Sequence, residues 1–145
     1  MRKVQFSNNK RTLQKIIELR YEVLRKPWQQ PIETATDDLD EQSFNAFIEN
    51  ENQEIIACGR LQINEKQIGQ IRYMAVFHNL QGQGYGQIIL KFLETKAKEI
   101  GLQGLELQAR ENAVKFYENN GYNIKEKSFL LWGQIQHYLM VKNLQ

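Results

Sequence analysis

Near the start of the chain Leu13, Ile16, Ile17, Leu19, Val23 and Leu24 recur at helical spacing, with Lys, Arg and Glu between them, until Pro27 stops the pattern. This predicts an amphipathic helix after a short strand-like start. From Lys26 to Gln42 the periodicity is lost, and two prolines, Trp28 and the acidic group Asp37, Asp38, Asp40 and Glu41 read as a long loop. Phe44 to Glu49, Ile55 to Ile63 and Gln67 to Val76 are rich in Ile and aromatics and are separated by Asn, Glu and Lys turns, which predicts three strands in an antiparallel meander. Helical spacing returns at Tyr85, with Ile88, Ile89, Phe92, Leu93 and Ala97 on one face and Gly101 placed to cap the end. A short strand at Leu105–Leu107, a compact helix from about Asn112 to Asn120 with Gly121 at its exit, and strands at Tyr122 to Lys127 and Gln136 to Val141 complete the reading. The sum is an α+β fold, a mixed and largely antiparallel sheet with helices on both faces.

Composition narrows the function classes. A chain of 145 residues, 41% hydrophobic, is expected to form one domain over residues 1–145. With 19 basic and 17 acidic side chains and no long run of one sign, it lacks the concentrated basic face that nucleic acid binding requires. Nothing apolar is long enough to span a membrane, and the start Met1-Arg2-Lys3-Val4-Gln5-Phe6 lacks the apolar core of a signal peptide, so a cytoplasmic address is expected. Cys58 is the lone cysteine and reads as a buried structural thiol, and no His and Cys cluster has metal-ligand spacing.

The segment Ile71 to Val76 runs as a strand into Phe77-His78-Asn79-Leu80 and then Gln81-Gly82-Gln83-Gly84-Tyr85-Gly86, which opens a helix. Glycines let a backbone approach a ligand, and the free N–H groups and positive dipole end at a helix start favour an anion, so this turn suits a pyrophosphate. The plainer reading is a tight connection that needs glycine only for geometry. The nicotinamide dinucleotide fingerprint fits less well, because it needs Gly-x-Gly-x-x-Gly early in a βαβ unit, and a P-loop is excluded because no Lys followed by Ser or Thr closes the run.

Gln81-x-x-Gly84-x-Gly86 after Met74-Ala75-Val76 resembles the acetyl-CoA signature of the GNAT superfamily of N-acetyltransferases. Ala109 to Tyr122, with its Phe116-Tyr117 pair and Gly121-Tyr122 end, resembles the family's later helix, and Leu19 to Leu24 and Gly59-Arg60-Leu61 resemble the first helix and central strand of its small ElaA-like bacterial branch. The chain departs from the pattern at Arg110, where many members carry Asn or Gln, and at Ala46, where the ElaA-like branch tends to carry histidine.

The resemblance implies an acetyl-CoA-dependent N-acetyltransferase with no metal, acting on an amine of a small molecule or peptide, and at most a second copy of the chain as a protein partner. It assigns acetyl-CoA binding to Met74, Ala75, Val76, Gln81, Gly82, Gln83, Gly84, Tyr85, Gly86, Asn112, Phe116 and Tyr117. Tyr117 matches the family's general acid toward the CoA sulfur, and a phenol is protonated at neutral pH. Its plainer reading is a core tyrosine with a wet tip. No general base stands out; Glu22 and His137 are the candidates beside a water-mediated route, and His78 reads as a capping or solvated residue. The acidic loop, with Trp28 and Pro31, would wall the acceptor site and favour a small cationic amine, or would simply keep the loop soluble. A non-catalytic acyl-CoA-binding regulatory module is the alternative from a different class.

Overall fold

The computed structural model describes residues 3–145. Seven strands form one sheet in the order β1-β2-β3-β4-β5-β7-β6: β1 (Val4–Phe6), β2 (Phe44–Glu49), β3 (Ile55–Glu65), β4 (Ile68–Val76), β5 (Gly104–Arg110), β6 (Asn123–Leu131) and β7 (Ile135–Asn143). All neighbours are antiparallel except β4 and β5, which are parallel and joined by a helical crossover.

Helix α1 (Lys10–Arg20) packs on one face and α2 (Tyr85–Glu99) and α3 (Val114–Asn119) on the other. Asn9 caps α1, its side-chain oxygen accepting the amides of Arg11 and Thr12 at 2.9 and 3.3 Å, and Leu13, Ile16 and Leu19 bury one face against Phe47, Ile55, Cys58 and Ala75. Ile89, Leu90, Leu93 and Ala97 of α2 pack opposite, over Ile56, Ala57, Leu61 and Leu107. Being covered on both faces, β3 is buried continuously from Ile55 to Leu61, whereas β4 alternates. At Gly59 an added Cβ would lie 2.5 Å from the Met74 sulfur and 2.7 Å from an Ile89 methyl, so the residue's missing side chain sets how closely α2 approaches the sheet.

Four expectations need correction. Ile88 is 46% exposed, because the buried stripe of α2 runs through Leu90 and Glu94 instead. The later helix is shorter than its periodicity suggests, beginning as a tight 3-10 turn over Glu111–Ala113. Strands β6 and β7 are longer than read, and Tyr122 lies before β6 with its hydroxyl donating to the buried Glu94 carboxylate at 2.7 Å. The first helix, expected to continue in regular spacing until Pro27, is α-helical only to Arg20 and then widens into a π-turn over Tyr21–Arg25, where the Lys26 amide bonds to the Tyr21 carbonyl.

Candidate active site

The central feature is a gap between β4 and β5. Their ladder runs from Ile68↔Gly104 to Ile71↔Leu107 and stops there. Beyond that point β4 stays paired with β3 as far as Val76, and β5 stays paired with β7 as far as Arg110↔His137. The edge of β4 from Arg72 to Val76 that faces β5 therefore has no ladder partner, and Met74, Ala75 and Val76 lie on it.

A bulge helps to open this gap. The pairing passes from Cys58↔Ala75 to Arg60↔Arg72, so β4 carries one extra residue opposite Gly59, and Tyr73 takes a left-handed φ of +55°. Non-glycine residues in that region are uncommon and are held by their surroundings. Here Arg20 stacks over the Tyr73 ring at 4.2 Å, and Arg72 and Arg60 lie at 4.7 and 5.0 Å.

The glycine turn follows directly from β4. The Gln81 side-chain amide donates to the Val76 carbonyl at 2.9 Å, folding the turn back on the strand. Gly82 and Gly84 have φ of +82° and +91°, and a Cβ on either would meet nothing within 4 Å. Their surroundings are open, which is the fit a large anion against the backbone requires. The first helical bond of α2 runs from the Ile88 amide to the Gly84 carbonyl at 3.1 Å, so the amides of Gly86 and Gln87 precede it without an acceptor in the helix. A Cβ at Gly86 would lie 3.5 Å from the Phe116 ring and 3.8 Å from Val76, so the end of β4, the start of α2 and the start of α3 meet at this residue.

Tyr117 is buried, with its ring edge-on to Phe116 and Tyr122. Burial raises its pKa, so the phenol stays protonated, and its hydroxyl has no hydrogen-bond partner among the described residues. Asn112 is exposed and makes no capping hydrogen bond at the start of α3. Cys58 is buried, and burial pushes its thiol up to about 11, consistent with a structural role.

The two candidate bases have different surroundings. Glu22 lies on the π-turn, half-exposed, 3.5 Å from the Lys26 ammonium. Its backbone carbonyl accepts from His78 Nε2 at 3.1 Å, which ties the π-turn to the exit of β4; His78 thus caps a carbonyl that the widened turn leaves free. His137 is 6% exposed and stacked on Phe129 at 4.4 Å. Its Nδ1 lies 3.0 Å from the Ile135 carbonyl, which can only accept, so Nδ1 carries the proton and Nε2 is left as the basic nitrogen. Burial, joined by the charges of Arg110 and Arg25, holds the imidazole below its ordinary value against the pull of that carbonyl.

The acidic loop does not behave as the sequence suggested. Asp40 is buried and bonds Arg20 and Arg60, each at 2.9 Å, and Thr36 at 2.5 Å. Asp37 bonds both Nη atoms of Arg60 at 2.6 and 2.9 Å and Arg72 at 3.2 Å. Burial alone would raise the Asp40 carboxyl; Arg20, Thr36 and Arg60 outweigh it and hold it at about 2. Two of the four acids are thus internal counter-ions that pin the loop to β3, β4 and α1. They are not free to attract a cationic acceptor. Asp38 and Glu41 stay exposed along a groove of about 340 Å³ against the first half of α1.

Sequence reasoning missed Arg25. It lies on the π-turn, and its Nη1 and Arg110 Nη2 converge on one oxygen, the Leu24 carbonyl, at 3.2 and 2.8 Å. The departure from the family pattern at Arg110 was the only signal in the chain. No helix among the described residues is long and apolar enough to cross a membrane, and no group of three or more His, Cys, Asp or Glu among them could hold a metal ion.

Residues 13–122 match the model of the acetyltransferase (GNAT) family. The uncharacterized N-acetyltransferase YjcF of Bacillus subtilis (strain 168) is 30% identical over 142 residues, covering 97% of this chain and 99% of that protein. Among solved structures, Escherichia coli ElaA superposes with a TM-score of 0.84 at 20% identity, covering 98% of this chain and 99% of that one. An aminoglycoside 6'-N-acetyltransferase complexed with coenzyme A superposes with a TM-score of 0.81 at 13% identity, covering 99% of this chain and 97% of that one.

Proposed function

The chain belongs to the acetyltransferase (GNAT) family, and from that premise we propose that it transfers an acetyl group from acetyl-CoA to an amine by direct attack on the thioester. The observation that carries this reading is the junction at Gly86, where the unpaired edge of β4, the open glycine turn and Phe116 come together. A neighbour of the same fold was solved with coenzyme A, which supports a CoA thioester as the co-substrate.

In this reading the backbone from Gln81 to Gly86 holds the pyrophosphate, with Gln83 and Tyr85 in the same turn and Asn112, Phe116 and Tyr117 lining the arm. The amides of Met74 to Val76 face the thioester carbonyl and stabilise negative charge as it develops there; pre-aimed backbone donors of this kind are worth roughly 3–4 kcal/mol each in other enzymes. Acetyl-CoA supplies an activated acyl group with a thiol leaving group. Tyr117 holds the proton that this thiolate takes up, because its phenol is kept protonated and has no competing acceptor. We assign the base to His137 Nε2 rather than Glu22, since its tautomer is fixed and its imidazole is held below the ordinary value, whereas Glu22 is engaged with Lys26.

A panel of amines assayed for acetyl-CoA-dependent thiol release tests the reading. Release that depends on amine identity and on Tyr117 supports it. Binding of acetyl-CoA without release for any amine would favour the regulatory module.

A further inference from the structure

Three of the five arginines gathered around Tyr73 and the β4–β5 gap have carboxylate partners within 3.2 Å: Arg20 and Arg60 on Asp40, and Arg60 and Arg72 on Asp37. Arg25 and Arg110 have none among the described residues. Arg25 is 9% exposed, with its guanidinium 5.3 Å from the Trp132 ring and 5.8 Å from the Tyr73 ring. The acids adjacent in sequence are engaged elsewhere, Glu111 by the Tyr138 hydroxyl at 3.1 Å and Glu22 by Lys26.

The unused donors are not sealed from solvent. Arg25 donates from Nε to the Thr34 carbonyl at 3.1 Å and from Nη1 to Leu24, and Arg110 donates only from Nη2. Arg25 Nη2 and Arg110 Nε and Nη1 therefore have no acceptor among the described residues, yet the only unpartnered side-chain nitrogens sealed from solvent among those residues are Nε of Arg20 and of Arg60. Two cations brought onto one neutral oxygen repel each other, and burial adds to the cost. Arg110 is pushed down to about 10, by burial first and by Arg25 second, and still remains charged at neutral pH.

The location gives this arrangement its meaning. Arg110 ends β5 and Leu24 belongs to the π-turn packed beside β4, so the Arg110–Leu24 hydrogen bond spans the mouth of the gap where the ladder has ended. His137 is the register partner of Arg110. The two half-satisfied guanidinium groups therefore stand near the candidate base, close enough for both charges to bear on its imidazole.

We propose that Arg25 and Arg110 form a carboxylate-binding subsite for the acceptor, so that the amine acetylated by this protein carries a carboxylate in the same molecule. The inference rests on the acetyl-transfer reading for the word acceptor, but the subsite itself is defined by its donors. A carboxylate offers two acceptor oxygens and a negative charge, so its bonds to the free donors of both arginines are charge-assisted, whereas a neutral amide offers one oxygen and no counter-charge. It also supplies the counter-charge that the fold withholds here and provides at Asp37 and Asp40.

Binding can be tested without turnover. N-acetylglycine, N-acetylleucine, N-acetylphenylalanine and N-acetylglutamate, each against its primary amide, are titrated into the whole protein, with tryptophan fluorescence and calorimetry as readouts. At least one acid should bind about tenfold or more tightly than its amide. Arg110→Gln, and separately Arg25→Gln, should abolish that ratio, while Arg110→Lys retains part of it and acetyl-CoA affinity stays unchanged in Arg110→Gln. Melting curves identify any variant that is simply unfolded, and Arg110→Lys keeps the test open if Arg25→Gln is one of them. Equal binding of every acid and its amide to the wild type would overturn the proposal. So would a ratio unmoved in a folded Arg110→Gln protein, or a parallel loss of acetyl-CoA binding, which would assign the arginines to CoA phosphates. If acids bind preferentially but no amine is acetylated, the subsite stands and the transfer reading falls.

Discussion

Replacing Gly84 by valine separates backbone strain from ligand contact, because the fold contains a matched control. Gly84 opens α2 with φ of +91°, and Gly101 follows its other end with φ of +84°; a Cβ on either would meet nothing within 4 Å. The two positions lie a full helix of 15 residues apart, roughly 22 Å at 1.5 Å per residue. An L-residue held in the left-handed region costs about 1–2 kcal/mol. Unfolding entropy of about 2.1 cal/mol/K per residue over the whole chain converts this to a Tm loss of roughly 3–7 °C, and both variants should show it. Only Gly84→Val adds a branched side chain to the surface proposed to meet the pyrophosphate. Calorimetry with acetyl-CoA should give at least about a tenfold weaker Kd for Gly84→Val, equivalent to about 1.4 kcal/mol, and an unchanged one for Gly101→Val. Equal affinities in the two variants at matched Tm would remove the glycine turn from the binding site.

Other perturbations reach different parts of the account. Tyr117→Phe should lower kcat by about 100-fold with little change in Tm, since the lost hydroxyl has no hydrogen-bond partner, and full activity would reduce the residue to packing. If His137 Nε2 is the base, kcat/KM should rise with pH through a midpoint below the ordinary histidine value of about 6.5, and His137→Gln should flatten that limb; an identical profile in the variant would exclude it. The Asp40 carboxyl sits at about 2 against an ordinary 3.8, so its stabilisation, about 2–3 kcal/mol, is present above roughly pH 5 and lost as pH falls toward 2. Asp40→Asn should cost on the order of 3–5 kcal/mol in urea melts at neutral pH and flatten the acid limb, because Arg20 and Arg60 would lose a shared counter-ion.

Much of this arrangement could be read from residue patterns, and the part that could not has physical causes. The β2 boundaries fall where the sequence puts them, and β3 and β4 within two residues at either end, because runs of Ile and aromatics between polar turns are a local signal. The π-turn at Tyr21–Arg25 was invisible, since one extra residue in a helical turn leaves the apolar spacing through Val23 and Leu24 almost unchanged. The bulge at Tyr73 hides for a similar reason: burial keeps alternating through β4 even though its register shifts. β6 gave a weak signal because nearly all of it is exposed at the sheet's edge, where neither face selects a pattern. The acidic loop misled because the partners of Asp37 and Asp40 lie 20 to 35 residues away, and composition cannot tell a counter-ion from a free surface charge. Arg25 and Arg110 are 85 positions apart in the chain, so only the fold brings their guanidinium groups onto one carbonyl.

The central claim, acetyl transfer in the gap between β4 and β5, is tested most directly by following the label from carbonyl-¹³C acetyl-CoA. The whole protein is mixed with the labelled thioester and an amine panel that includes amino acids and their amides, and products are resolved by mass spectrometry while free thiol is measured in parallel. The account predicts an N-acetyl product carrying the label, formed one for one with thiol and, at thioester concentrations below the Kd, at least about tenfold more slowly in Gly84→Val. Thiol release without any labelled amide, or labelled amide formed equally well by Gly84→Val, would contradict it.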